Sequence, residues 1–196
     1  MDDHPVRLIV TDDLRRTRLT VFFRLLLAIP HLIWTVLWGI VAGLATLVNW
    51  FAVLFTGRSP QGIHDFLVGY LRYRTHVIAY TSLLADPFPS FSGAAGYPVD
   101  LEVDPPAEQG RLGVFFRLIL AIPAYMIAQI LTYLLQLLAF FGWIVALFTG
   151  TMPQGMRDLG AYCLRYDQQS QAYLMVLTSR YPSLSAPSAG TQPVSA

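Results

Sequence analysis

Charge is scarce in this 196-residue chain. Only 13% of its residues are Asp, Glu, Lys or Arg, about half the ~25% usual in soluble domains. The thirteen basic residues are all arginine, and twelve acids leave a net charge of +1. The arginines are scattered rather than massed on one stretch, so no broad cationic face forms and nucleic acid is not an expected partner. Cysteine is nearly absent: Cys163 has no second thiol to pair with, and its apolar helical surroundings read as those of a small buried hydrophobe. Catalytic signatures are missing too. There is no Gly-rich loop closed by a lysine, no Ser-centred elbow and no His-Glu metalloprotease helix. His4, His31, His64 and His76 share no ligand spacing with one another or with Cys163, so neither a metal nor a cofactor is expected. Nor is there a secretory leader of the usual kind. Asp2, Asp3, Asp12 and Asp13 mix with Arg7, Arg15, Arg16 and Arg18 where a short cationic start would stand, so the apolar runs are expected to stay in the protein.

What fills the chain instead is apolar sequence, 55% of all residues, and much of it is said twice. "RLTVFFRLLLAIPH" from Arg18 to His31 returns as "RLGVFFRLILAIPA" from Arg111 to Ala124. Laying residues 5–90 over 98–183 needs a constant shift of 93 and no gap, and 33 of the 86 aligned positions are identical. An ungapped match of that length marks an internal duplication. Repeat 1 is assigned to residues 1–92 and repeat 2 to residues 98–185, with a disordered tail over 186–196, where apolar content ends.

Each repeat opens on an alternating stretch, "PVRLIV" or "PVDLEV", which predicts a short strand with Val6, Leu8 and Val10 on one face. If the two opening strands are neighbours, Arg7 and Asp100 hold equivalent places with opposite charge. The closing "FPSFSG" and "YPSLSA" stretches are expected to be extended as well, giving four short pieces that could form a small sheet.

The middle of each repeat is a long apolar run, 19–57 and 112–150, interrupted by one charge apiece, Arg24 and Arg117. As a straight helix such a run would reach roughly 58 Å at ~1.5 Å per residue, nearly twice a ~30 Å hydrocarbon core. Two arrangements fit: a helical hairpin that leaves where it entered, or an in-plane helix up to Ile29 followed by a crossing helix from Pro30. Arginines flank both runs on both sides, which keeps every flank in the cytoplasm and favours hairpins, four crossings in all. Gly39 and Gly43 could supply the turn, or could let two helices approach closely. Trp34, Trp38 and Tyr133 near the midpoints suit a turn at the far interface. In repeat 2, Gln129, Thr132 and Gln136 lie at helical spacing instead, which also allows one continuous helix with a polar stripe.

After Gly57 and Gly150, prolines suit the start of an amphipathic helix, predicted over 60–84 and 153–177. Asp65 and Asp158 fall near its positive end. The apolar face of this helix is expected to lie on the inner leaflet or on the other repeat.

Arg24 and Arg117 are the foremost candidate site residues, because charge inside an apolar run is costly and marks function or anchoring. Each lies about six residues inside its run, within snorkelling reach of lipid headgroups. A pairing with Asp65 and Asp158 is the other reading. His31, replaced by Ala124 in repeat 2, reads as a hydrogen-bonded interfacial residue before a proton relay.

At "FFRLLLAIPH", "WFAVLFTGRSPQGIHDF" and "LRYRTHVIAYTSLLADPFPSF", and at their second copies, the chain resembles bacterial membrane proteins of the family called domain of unknown function 4389. The resemblance covers about residues 5–184. It implies an integral membrane protein and supplies no catalytic residue.

Together these readings predict a mainly α membrane protein of two tandem pseudo-symmetric repeats, each a strand, a transmembrane hairpin or long kinked helix, and an amphipathic helix. It is expected to be multi-pass in the bacterial inner membrane with cytoplasmic termini. The leading function is a non-enzymatic scaffold that docks a partner, either a second copy or another membrane protein. The alternative is a transporter or channel component in which Arg24, Arg117, Gln129 and Gln136 contact a solute between the repeats.

Overall fold

A computed structural model describes residues 4–185. The tail assigned to 186–196 lies outside the described residues.

β1 (Val6–Val10) leads to α1 (Arg18–Thr56), 39 residues long, and then to α2 (Gln61–Thr81). The second repeat follows as β2 (Val99–Val103), α3 (Arg111–Phe115), α4 (Arg117–Thr149) and α5 (Gln154–Leu174). The long apolar runs are continuous helices, and hairpins are corrected to the long-helix alternative. α1 passes through Pro30, where the missing N–H leaves the Leu26 carbonyl without its usual donor. α4 passes likewise through Pro123, and repeat 2 breaks only at Phe116. Gly39 and Gly43 make no turn. Gly39 instead lets α2 approach closely: a Cβ there would stand 2.9 Å from the Tyr70 hydroxyl, while Gly43 faces open space. Trp38 turns inward onto Phe66, Tyr70 and Tyr73 rather than to a far interface.

Each long helix ends on a left-handed glycine, Gly57 (φ 79°) and Gly150 (φ 75°), where any Cβ would be strained. The amphipathic helices also end alike. Leu83 (φ 59°) and Val176 (φ 60°) take the left-handed conformation, and the next N–H turns back to Ala79 and Ala172.

The two strands pair antiparallel, with Leu8 opposite Leu101. These two residues are equivalents under the 93-residue shift, so the pseudo-two-fold axis runs through their pairing. Two strands, not four, make the sheet, because neither closing stretch forms a strand among the described residues. Arg7 sits opposite Glu102 rather than Asp100 and donates to Asp104 at 2.8 Å. The antiparallel register displaces it from the position that equivalence alone would suggest.

The repeats are interlocked. α2 packs on β2 and α5 on β1, each amphipathic helix against the other repeat's strand. Arg72 donates to the Leu101 carbonyl and Gln169 to that of Val6. At the axis, Arg74 of α2 meets its own equivalent, Asp167 of α5, at 2.7 Å.

α1 and α4 run antiparallel. The Trp143 indole donates to the Val21 carbonyl at one end and the Trp50 indole to that of Val114 at the other, both at 2.9 Å. Small clusters seal these ends: Val21, Leu83, Ala146 and Met152 at one, Val53, Val114 and Val176 at the other. Between them α2 packs on α1 and α5 on α4, and these two helices carry the sheet above the helix midpoints; Val6 and Leu101 share a buried cluster with Trp38 and Ala42, and Val10 and Val99 share one with Leu131 and Leu135. The remaining faces of α1 and α4 are open and apolar from Leu19 to Phe55 and from Leu118 to Phe148. Both helices are long and apolar enough to span a membrane.

Candidate functional site

The two arginines of the apolar runs do not reach outward. Arg24 is 1% exposed and Arg117 2%, each folded back under the C-terminal end of the amphipathic helix of its own repeat. Arg24 Nη1 donates to the Tyr80 and Ala85 carbonyls at 2.8 and 2.9 Å, and its Nη2 reaches Asp86 at 2.6 Å. Arg117 Nη1 donates to the equivalent carbonyls of Tyr173 and Thr178, and its Nη2 to Gln109 Oε1 at 2.6 Å. Each guanidinium also lies over an aromatic ring, Tyr80 at 4.5 Å and Tyr173 at 4.1 Å. The last carbonyls of a helix lack intrahelical donors and carry the negative end of its dipole, so a cation is favoured there. The headgroup-anchor reading and the pairing with Asp65 and Asp158 are therefore both replaced by a helix-end clamp. Asp65 accepts from Gln61 at 2.8 Å and Asp158 from Arg157 at 2.9 Å, both on the exposed surface.

The two clamps differ in charge. Arg24 is balanced by Asp86, whereas Ser179 stands at the equivalent place and no carboxylate lies within ion-pair distance of Arg117 among the described residues. Further partners escaped the sequence reading. Arg16 forms a fully buried bidentate pair with Asp12 (2.7 and 3.1 Å) and caps the Leu83 carbonyl. Gln109, its equivalent in repeat 2, caps Val176. Asn49, buried in α1, donates to the Met175 carbonyl and accepts from Ser59 at 2.6 Å. The identity of Trp50 and Trp143 in the two repeats was a usable signal; the Asn49–Ser59 pair had none, because repeat 2 has Gly142 and Met152 there.

His31 is buried, with Nδ1 2.7 Å from the Tyr73 hydroxyl and its ring stacked on Phe91 at 4.2 Å. Burial pushes the Tyr73 phenol up to about 12, so at neutral pH this is a neutral hydrogen bond. Gln129 bonds to the Tyr125 hydroxyl one turn away and stays apart from the arginines. Gln136 faces a groove of about 400 Å³ between α1 and α4 that Arg24, Ser82, Phe140 and Trp143 also line. Of the four residues proposed to meet a solute, the fold thus brings together Arg24 and Gln136 only.

In β2, desolvation would raise the Asp100 carboxyl, but hydrogen bonds from His76 (2.9 Å), Gly96 N–H and Leu101 N–H outweigh it and hold the group below its ordinary value. Burial pushes the Cys163 thiol up to about 11, leaving it protonated and poorly nucleophilic at neutral pH. Among the described residues, no group of three His, Cys, Asp or Glu side chains could hold a metal ion.

No curated protein and no solved structure matches this chain. A family model does match, twice, over residues 18–93 and 111–185. The boundaries fall at the starts of α1 and α3 and leave out both strands. With two tandem copies covering most of its length, the chain belongs to the family described as Domain of unknown function (DUF4389).

Proposed function

We propose that this protein is a non-enzymatic membrane scaffold in which α1 and α4 lie side by side in the plane of one leaflet, probed by lipid on their outer faces, while α2, α5 and the sheet face water and dock a partner. The observation that carries this reading is the charged sheet over the helix midpoints. Were α1 and α4 to cross the bilayer, the exposed group of Arg7, Glu102 and Asp104 would stand level with the hydrocarbon centre, where each charge costs several kcal/mol. Helix length argues the same way: roughly 58 Å would fit a ~30 Å core only at a steep tilt. Arginines at both ends of the pair, Arg15 and Arg18 at one and Arg58 and Arg111 at the other, belong on one side of the membrane, which zero crossings satisfy as well as four. A bacterial cell membrane is the setting the family resemblance suggests, and a second copy or another membrane protein is the partner.

The test is sidedness. Single cysteines at exposed Arg15 and Arg58, which bracket α1, are to be labelled in sealed, right-side-out and inverted vesicles with an impermeant maleimide. Both are expected to react from the same face; reaction from opposite faces would establish a crossing and end the in-plane reading. Recovery of the protein in the soluble fraction after carbonate washing would end the membrane reading itself.

A further inference from the structure

Four aromatic rings gather where α1 meets α2 and the closing stretch of repeat 1. Trp34, Trp38, Phe66 and Phe91 line a pocket of about 480 Å³, and among the described residues no charged side chain lines it. The two indoles stand 6.4 Å apart and tilted by 58°, and Phe66 is tilted by 55° to Trp38, so these rings form inclined walls rather than a closed stack. A further wall is Phe91, whose ring stacks on His31 at 4.2 Å. That ring is fixed in place. His31 is hydrogen-bonded to Tyr73 at 2.7 Å, and Gly93, in the left-handed conformation (φ 63°), lies so near α2 that a Cβ would stand 3.0 Å from Tyr73 Cβ. Trp34 and Phe91 are exposed and Trp38 and Phe66 half-buried, so all four keep accessible surface. The duplicated half has none of these rings: Ile127, Leu131, Leu159 and Leu184 hold the equivalent places, and Ala124 replaces His31. There α5 packs along α4 more extensively than α2 does along α1. Aliphatic side chains thus meet the needs of the seam, and the rings of repeat 1 leave it open. Their aromatic character belongs to the pocket and is not a demand of the fold.

We infer that this pocket binds a quaternary ammonium group, the choline headgroup of a membrane lipid, against the rings of Trp34, Trp38, Phe66 and Phe91. Ring faces carry the negative part of the aromatic quadrupole and attract a cation, tryptophan most strongly. They offer an anion nothing, and no arginine lines the pocket to attract one. A primary ammonium would bring three N–H donors to a lining in which, among the described residues, Ser92 is the one side chain able to accept. A quaternary ammonium brings no donor and needs no acceptor. The volume falls within the ~300–1,000 Å³ of small-molecule sites. The lipid as its source rests on the in-plane reading, in which the seam between α1 and α2 is where the lipid-facing layer meets the water-facing one. That is the level of the headgroups.

The experiment uses full-length protein in phosphatidylglycerol nanodiscs, with water-soluble phosphocholine as the probe. Magnetic saturation of the aromatic protons is expected to pass to the N-methyl protons of phosphocholine, and far less to phosphoethanolamine under the same conditions. In the variant Trp34→Ile/Phe91→Leu, which installs two residues of the other half, affinity should fall about tenfold, as expected for losing two cation–π contacts. An equal thermal melt separates a lost contact from a lost fold, and Phe91→Leu alone, at an exposed position, should cost about threefold. No transfer to phosphocholine, equal transfer to glycerol phosphate, or transfer unchanged in both variants would overturn the site. Nanodiscs made of phosphatidylcholine identify the source. Lipid headgroups should fill the pocket and suppress transfer to free phosphocholine, whereas undiminished transfer would overturn the lipid assignment. The sidedness of Arg15 and Arg58 tests the in-plane reading by itself, so its failure is told apart from failure of the pocket.

Discussion

Replacing Ser179 by aspartate should stabilise the protein. Ser179 occupies the place in repeat 2 that Asp86 holds in repeat 1, next to the carbonyl that accepts from Arg117. In repeat 1 the carboxylate lies 2.6 Å from Arg24 Nη2 and is itself 23% exposed at the side chain. In repeat 2 the guanidinium is buried, and among the described residues its partners are carbonyls, an amide oxygen and the Tyr173 ring. A hydrogen bond to a charged group contributes about 1.5–3 kcal/mol. Ser179 is exposed, so solvent screening discounts this, and a gain of about 1–2 kcal/mol is expected for Ser179→Asp. For a chain of this size that is about 2–4 °C in Tm for each kcal/mol. The assay is thermal melting in detergent followed by tryptophan fluorescence, since Trp50 and Trp143 sit on the seams between the repeats. The gain should vanish in an Arg117→Met background. An unchanged Tm, or a gain that survives loss of Arg117, would refute the equivalence of the two clamps.

Leu19, Leu37 and Phe55 lie 18 residues apart, five turns each, on the open face of α1; spin labels there should report one common depth by relaxation with oxygen and nickel, whereas a crossing helix would place the middle label deepest. Ser59→Ala leaves the buried Asn49 Oδ1 without its donor and should cost about 1–3 kcal/mol in chemical denaturation. At the axis, Arg74→Asp sets two carboxylates together and should destabilise, and adding Asp167→Arg should restore stability, with a coupling of about 0.5–3 kcal/mol in the double-mutant cycle. Burial lowers the His64 ring below its usual value, with Asp65 opposing in part. The unfolded chain therefore takes up a proton before the folded one does, so stability is full above about pH 6.5 and declines as the pH falls below it; in melts from pH 8 to 5, His64→Leu should flatten that decline.

Much of the architecture is legible in the sequence because it is local or repeated. The period-two pattern of Val6, Leu8 and Val10 is a strand, the segments after Pro60 and Pro153 are helices, and the 93-residue shift gives two equivalent units. The course of the apolar runs is not legible, since a 39-residue stretch without charge beyond Arg24 satisfies a hairpin and a long helix equally. The deciding contacts are distant and unremarkable in type: a glycine against Tyr70, an indole against a carbonyl, a strand of one repeat against the helix of the other. Arg24 and Arg117 illustrate why the candidate site was half visible. Their cost inside an apolar run marks them at once, but their partners are mostly backbone carbonyls 56 and 61 residues away, and a carbonyl leaves no signature in an amino-acid sequence. Arg24 and Gln136 were legible as candidate contacts of one path; Ser82 joins them only once α1, α2 and α4 are assembled.

The exchange of strands between halves bears on how such a chain arose. A single repeat has a strand, but its amphipathic helix covers the strand of the other repeat, so two identical copies would complete one another only as an intertwined homodimer. In such a dimer every residue on the axis would face itself, and a charge at the position of Arg74 would meet an identical charge. Within one polypeptide the two positions can differ, as the Arg74–Asp167 pair does.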